Sequence, residues 1–270
     1  MVKKALSVGI NNYANPRNNL RGCINDSIMI REMLIKHYGF KRENIQLLMD
    51  EKATQSNIIE ELENLVVGAQ AGDILVFHYS GHGSQVPDIN NNEDDGFDEI
   101  ICPYDMDWNN PFTDDKINEI IKINKEVNLT MIMDCCHSGS VNRGIFNPGV
   151  TPIDSKFLPP PTALIPNDTE LKQLKKRTFH SQKDNYSILL SGCRDNQSSM
   201  DAWIDGDYHG AFTFYLNECL RTNNWKLRMG ELHEQLVKTL SFHNYDQRPV
   251  LSGPKGIESS IFLDPYSLYK

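Results

Sequence analysis

The sequence lacks a basic excess. Its 270 residues carry 27 Lys and Arg against 36 Asp and Glu, a net charge of −9. That weighs against nucleic-acid binding, which usually depends on a basic face, and it suits a protein that receives cations or basic peptides. Long apolar runs are also missing: nothing approaches the roughly 18 residues of a membrane span. The run inside Met1–Ile10 is about six residues, too short for a signal-peptide core, and no small-residue cleavage site follows it. The six cysteines, at 23, 102, 135, 136, 193 and 219, form no C-x-x-C pair. Without a secretory signal they read as free thiols in a reducing compartment, so a cytoplasmic location is expected and a disulfide framework is not. There is no internal repeat and no low-complexity tract, and nothing calls for an organic cofactor. Hydrophobic residues at 39% and charged residues at 23% are ordinary for a globular chain long enough to hold a core unaided.

What is present is an alternation of short apolar runs with amphipathic stretches. Lys4–Ile10, Ile45–Met49, Asp73–Tyr79, Leu129–Met133 and Tyr186–Leu190 read as strands. Val250-Leu251 and Ile261–Leu263 read as short edge strands. Helical spacing covers Cys23–Tyr38, with Ile24, Ile28, Met29, Met33 and Leu34 on or near one face. It also covers Ser56–Ala69, Asp114–Lys125, Phe212–Leu220 and Gly230–Leu240. Continuous apolar strands alternating with helices predict an α/β fold with a mostly parallel sheet covered on both faces. A single domain over 1–270 is expected, with one long mobile linker at about 142–185, rich in proline and then basic.

Two strand ends carry the chemistry. The third strand runs into His78-Tyr79-Ser80-Gly81-His82-Gly83, and the fourth into Asp134-Cys135-Cys136-His137-Ser138-Gly139. In open parallel sheets, sites form at the carboxyl ends of strands. Neighbouring strands would bring a glycine-flanked histidine beside a cysteine. A thiolate nucleophile needs such an imidazole, and exposed backbone N–H groups to hold an oxyanion. Adjacent side chains on a strand face opposite ways, so one of Cys135 and Cys136 can face the histidine, and periodicity does not say which.

These two motifs resemble the signature segments of metacaspases, caspase-like cysteine peptidases. The resemblance continues through Val8-Gly9-Ile10-Asn11-Asn12-Tyr13, Leu20–Asp26, Gly96-Phe97-Asp98-Glu99, Leu190–Gln197 and His209-Gly210-Ala211-Phe212-Thr213, covering about Lys3 to Leu263. It implies a caspase-like three-layer sandwich. It makes His82 the general base and Cys136 the nucleophile, with the N–H groups of Gly83 and Cys136 as oxyanion donors. Cys135 is then a buried filler, and His78 and His137 are structural. The family's first specificity pocket maps to Cys23, Asp26, Ser80 and Asp134. Two carboxylates there ask for a cation, so the expected partners are protein or peptide substrates cut after Arg or Lys. The same resemblance implies a monomer.

Clustered carboxylates in the acidic stretch suit calcium, and the resemblance implies calcium as an activator, bound through Asp98, Asp114 and Asp115. The stretch is no EF-hand, since the nearest frame puts Cys102 at the twelfth position, and a further family aspartate is replaced by Arg143. The resemblance also implies self-processing in the linker, where Lys172, Lys175, Lys176 and Arg177 offer basic sites. The alternative is a catalytically silent caspase-like scaffold, or a zymogen awaiting a partner.

Overall fold

The computed structural model describes residues 1–88, 97–122, 127–137, 155–164, 187–194 and 197–264. In chain order the elements are β1 (Lys3–Gly9), α1 (Cys23–Tyr38), β2 (Ile45–Met49), α2 (Gln55–Val66), β3 (Ile74–Ser80), β4 (Gly83–Pro87), β5 (Phe97–Ile101) and β6 (Phe112–Thr113). Then come α3 (Asp114–Ile120), β7 (Asn128–Asp134), β8 (Ile188–Ser191), β9 (Asp201–Ile204), β10 (Asp207–Gly210), α4 (Ala211–Thr222), α5 (Met229–Phe242) and β11 (Val250–Ser252).

The central sheet has six strands in the order β11-β8-β7-β3-β1-β2. All neighbours are parallel except β11, which runs antiparallel to β8. Strands β3 and β7 lie in the middle and every residue of both is buried, which is why each reads as a mostly apolar run. Side-chain alternation sorts the two faces. On one face, Ile74, Val76, Ile132 and Leu190 meet Ile30, Met33 and Leu34 of α1, Phe212 and Leu216 of α4, and Leu232 and Leu236 of α5. On the other, Leu75, Phe77, Tyr79, Met131, Met133 and Cys135 meet Ile58, Leu62 and Leu65 of α2 and Ile117 of α3. Helices therefore cover both faces of a mostly parallel sheet, the three-layer α/β architecture expected.

Details differ from the sequence reading. Ile28 is exposed, whereas Asp26 and Ser27 are buried, so the inward stripe of α1 includes polar residues. Helix α3 stops at Ile120 instead of Lys125. It is capped by the Thr113 hydroxyl, which accepts the Lys116 N–H at 3.3 Å. The expected edge strand at Ile261–Leu263 is a single bridge from Ile261 to Arg228. Two small antiparallel units went unrecognised, β4-β5-β6 and the hairpin β9-β10. Of the expected linker at 142–185, residues 155–164 fall within the described residues. Ser155, Lys156 and Phe157 there are buried and bridged to the rest of the fold. Lys172, Lys175, Lys176, Arg177 and Arg143 lie outside the described residues.

The core assignment has a direct check in urea unfolding. Leu236→Ala, fully buried under the sheet, is expected to lose about 2–5 kcal/mol. Phe242→Ala, at the same helix's exposed end (81% accessible), should stay within about 0.5 kcal/mol of the parent.

Candidate active site

Strands β3 and β7 pair in parallel with Ser80 opposite Asp134. The alternation that sends Tyr79, Met133 and Cys135 to the α2–α3 face sends Ser80 and Asp134 to the other. Cys136, two residues past Asp134, packs apart from Cys135, in a small cluster with Phe157 and Cys193. The chain leaves β3 through Gly81, His82 and Gly83 and enters β4 against the end of β7. A Cβ on Gly83 would collide with the Cys136 carbonyl, so the two loops touch at a position only glycine can occupy.

His82 is held on three sides. Its backbone N–H donates to the Tyr13 hydroxyl at 2.7 Å, and its carbonyl accepts from Tyr79 at 2.7 Å. Its Nε2 lies 2.8 Å from the Asn18 carbonyl oxygen. A carbonyl can only accept, so Nε2 carries the proton and Nδ1 keeps its lone pair. Nδ1 is buried and has no hydrogen-bond partner. Burial lowers this histidine to about 4, against the upward pull of the Asn18 and Lys156 backbone carbonyls. The loop that supplies Tyr13 and Asn18 is itself anchored: Asp50 accepts the N–H groups of Asn11 and Asn12 at 2.8 and 2.9 Å. The Cys136 sulfur accepts the N–H of Ser199 and faces the Ser199 carbonyl at 3.3 Å.

Beside this pair is an acidic chamber, and Lys156 fills it. Its ammonium lies 2.8 Å from Ser80 Oγ, 3.1 Å from Asp134 and 3.3 Å from Asp26, with the lysine and both carboxylates fully buried. Every carboxylate oxygen is used. Asp26 also accepts from Ser80 at 2.7 Å and from the Gly210 N–H at 2.9 Å. Asp134 accepts from Ser199 Oγ at 2.6 Å and from Thr213 Oγ1 at 2.7 Å. A Cβ on Gly210 would collide with Asp134 and with the Lys156 ammonium, so glycine makes the room for the cation. Burial alone would raise the Asp26 carboxyl, but the Lys156 ammonium and the His209 and Ser80 hydrogen bonds prevail and hold it below the usual carboxylate range. Burial would likewise lower Lys156, yet Asp134, Cys23, Asp26 and Asp201 together hold it well above the ordinary lysine value. Burial raises the Cys23 thiol, which adjoins Ser80 in the chamber wall.

Thus the structure brings together Cys23, Asp26, Ser80 and Asp134 around one ammonium, and His82, Gly83 and Cys136 next to it. The Lys156 backbone spans the two groups. Its carbonyl oxygen receives the N–H of Gly83 at 2.9 Å and of Cys136 at 3.4 Å, an arrangement suited to an oxyanion. Its own N–H donates to Ser199 at 2.9 Å, and Leu158 N–H donates to Gly83 at 2.9 Å, so Ser155–Leu158 docks as an extended strand. Sequence reasoning missed Lys156, Ser199, Gly210 and Thr213. The last two stand in the His209–Thr213 segment; nothing in the sequence singles out Lys156 from the more numerous lysines further on.

The three residues expected to hold calcium start α3 (Asp114, Asp115) or lie on β5 (Asp98). Asp114 Oδ1 is buried with no hydrogen-bond partner. Burial, then Glu99 and Asp115, raise its carboxyl to about 6. Among the described residues no three His, Cys, Asp or Glu side chains are grouped as a metal site. His137 lies 3.6 Å from the Cys135 sulfur, and His78 bonds Ser7 at 2.8 Å beneath the acidic chamber.

Residues 3–143 match the family described as metacaspase, peptidase C14 domain. The chain belongs to the metacaspase family. Metacaspase-1 of Schizosaccharomyces pombe is 32% identical over 97% of this chain and 69% of its own length. Metacaspase-1A of Aspergillus oryzae is 32% identical over 93% of this chain and 67% of its own. Metacaspase-1 of Saccharomyces cerevisiae is 30% identical over 96% and 68%. Among solved structures, protein GSU0716 from Geobacter sulfurreducens aligns with a TM-score of 0.70 at 26% identity, covering 95% of this chain and 96% of that one. This metacaspase is accordingly a caspase-like cysteine peptidase, and its substrates are proteins.

His78 offers a test of the buried polar layer. It is fully buried and lowered to about 4 by burial, so between about 4 and the ordinary 6.5 only the unfolded chain takes up its proton. Falling pH through that window therefore favours unfolding. The stability lost between pH 7 and pH 5 is expected to be smaller in His78→Gln than in the parent, by about 2 kcal/mol. Urea titrations giving equal losses for both proteins would contradict this burial.

Proposed function

We propose that this metacaspase is an endopeptidase that cuts after Arg or Lys by a Cys136–His82 dyad, and that its own Lys156 is its first substrate. One observation carries the reading: the Lys156 ammonium sits between Asp26 and Asp134 while the carbonyl oxygen of the same residue meets two backbone N–H groups beside Cys136. An Asp side chain in that chamber would face two buried carboxylates with no cation, which argues against caspase-type specificity.

In the proposed reaction His82 Nδ1 takes the Cys136 thiol proton and the sulfur adds to the Lys156 carbonyl carbon. The oxyanion is held by the Gly83 and Cys136 N–H groups. The C–N bond to Phe157 then breaks as His82 returns the proton to the leaving amine. Water hydrolyses the thioester and restores the thiol. The low value of His82 belongs to the closed arrangement. Departure of the 155–158 strand admits water and moves the imidazole back towards its ordinary range, where it is a stronger base. While Lys156 stays, no other basic side chain can enter, so the closed form is a zymogen. A silent scaffold finds no support, since both members of the dyad are present.

Calcium enters this reading as a modulator and not as a reactant. A divalent cation near Asp114 would satisfy its buried oxygen and offset the repulsion from Glu99 and Asp115.

The test is hydrolysis of fluorogenic peptides ending in Arg, Lys or Asp, each with calcium and with chelator. Release from Arg and Lys peptides alone is expected, abolished in Cys136→Ala. Asp26→Asn should lower kcat/KM for Arg peptides about a hundredfold or more. Lys156→Ala should act on peptides without a lag. Release from the Asp peptide would overturn the specificity.

A further inference from the structure

The residue after Lys156 is as well housed as the lysine. Phe157 is only 7% exposed, and its ring forms a cluster of its own with Cys136 and Cys193, separate from both main cores. Its backbone is paired to Gly83 as a short parallel bridge, continued by the Leu158 N–H on the Gly83 carbonyl. The wall opposite the ring is fixed: Gly192 N–H donates to the Met133 carbonyl at 2.9 Å, and the Cys193 sulfur approaches the Cys135 carbonyl at 3.5 Å. That pins the loop after β8 to the end of β7. Cys193 is itself buried.

We propose that the space Phe157 fills is a second specificity subsite, which takes an aromatic side chain on the residue following the cut bond. This rests on the reading of Lys156 as a substrate held in place. Two polarizable thiols clustered with a ring make a favourable environment for an aromatic and a poor one for a hydroxyl or a carboxylate. An acidic residue here would be desolvated beside a cation whose charge Asp26 and Asp134 already satisfy. Position matters as much as polarity. The ring shares one cluster with Cys136, so filling the subsite helps to fix the scissile bond beside that thiol, between the backbone pairing to Ser199 on one side and to Gly83 on the other.

The experiment uses quenched fluorescent peptides identical up to a lysine and differing only in the next residue: Phe, Ser or Asp. The 270-residue protein is assayed alongside its Lys156→Ala variant. Cleavage after lysine is expected with kcat/KM about tenfold or more higher for Phe than for Ser, and lowest for Asp. In Cys193→Leu, which crowds the subsite, the Phe-to-Ser ratio should fall towards one. The ratio is internal to each sample, so a partly folded variant still reports it. Cleavage after lysine at equal rates for all three peptides overturns the subsite while leaving the basic specificity standing. No cleavage after lysine in any peptide overturns the reading on which the subsite rests, and the subsite with it.

Discussion

The structure turns on one buried cation. Asp26 and Asp134 are fully enclosed, and two carboxylates in such a place are tolerated only with a partner charge and full hydrogen bonding. Lys156 supplies the charge, and Ser80, Ser199, Gly210 and Thr213 satisfy the remaining oxygens. A charge trio of this kind is weak evidence for stability, because its desolvation offsets much of its attraction. On the function proposed above, it is explained by what would replace the lysine: another basic side chain. The same economy accounts for the glycine at 210, where any Cβ would take the cation's place.

The sheet makes this arrangement unavoidable once β3 and β7 pair in register. Ser80 and Asp134 become neighbours on one face, and the loops leaving those strands carry His82 and Cys136 to the same edge. Helix α1 adds Asp26 from its first turn, and the β9–β10 hairpin delivers Gly210 and, just beyond it, Thr213. The histidine's orientation comes from further off. Asp50 holds the loop after β1, and that loop presents Tyr13 and Asn18 to His82. A residue far along the sequence thus fixes which imidazole nitrogen is free to accept a proton.

Much of this was legible in the sequence, for a physical reason. Central strands buried on both faces announce themselves as apolar runs, and β3 and β7 end in the glycine-bearing turns that carry the candidate dyad. Helix α1 was bounded correctly, although its buried stripe proved partly polar because Asp26 serves the chamber and Ser27 packs against Gly9. The short antiparallel strands β4, β5, β6, β9 and β10 were missed: two to five residues with polar alternation give no periodicity to read. Lys156 was illegible for a different reason. Its place depends on backbone pairing of Ser155 with Met200 and of Phe157 with Gly83, which no local pattern encodes. The denser run of basic residues at 172–177 carries the stronger local signal.

The central claim is that Lys156 occupies the chamber as a substrate would, and the most direct measurement is the identity of the newly formed N-terminus when the purified chain cuts itself. The account predicts a fragment beginning at Phe157, absent in Cys136→Ala and lost in Lys156→Ala. Fragments beginning only after Lys172, Lys175, Lys176 or Arg177, with the Lys156–Phe157 bond intact, would show that the buried lysine is a structural plug and contradict the account.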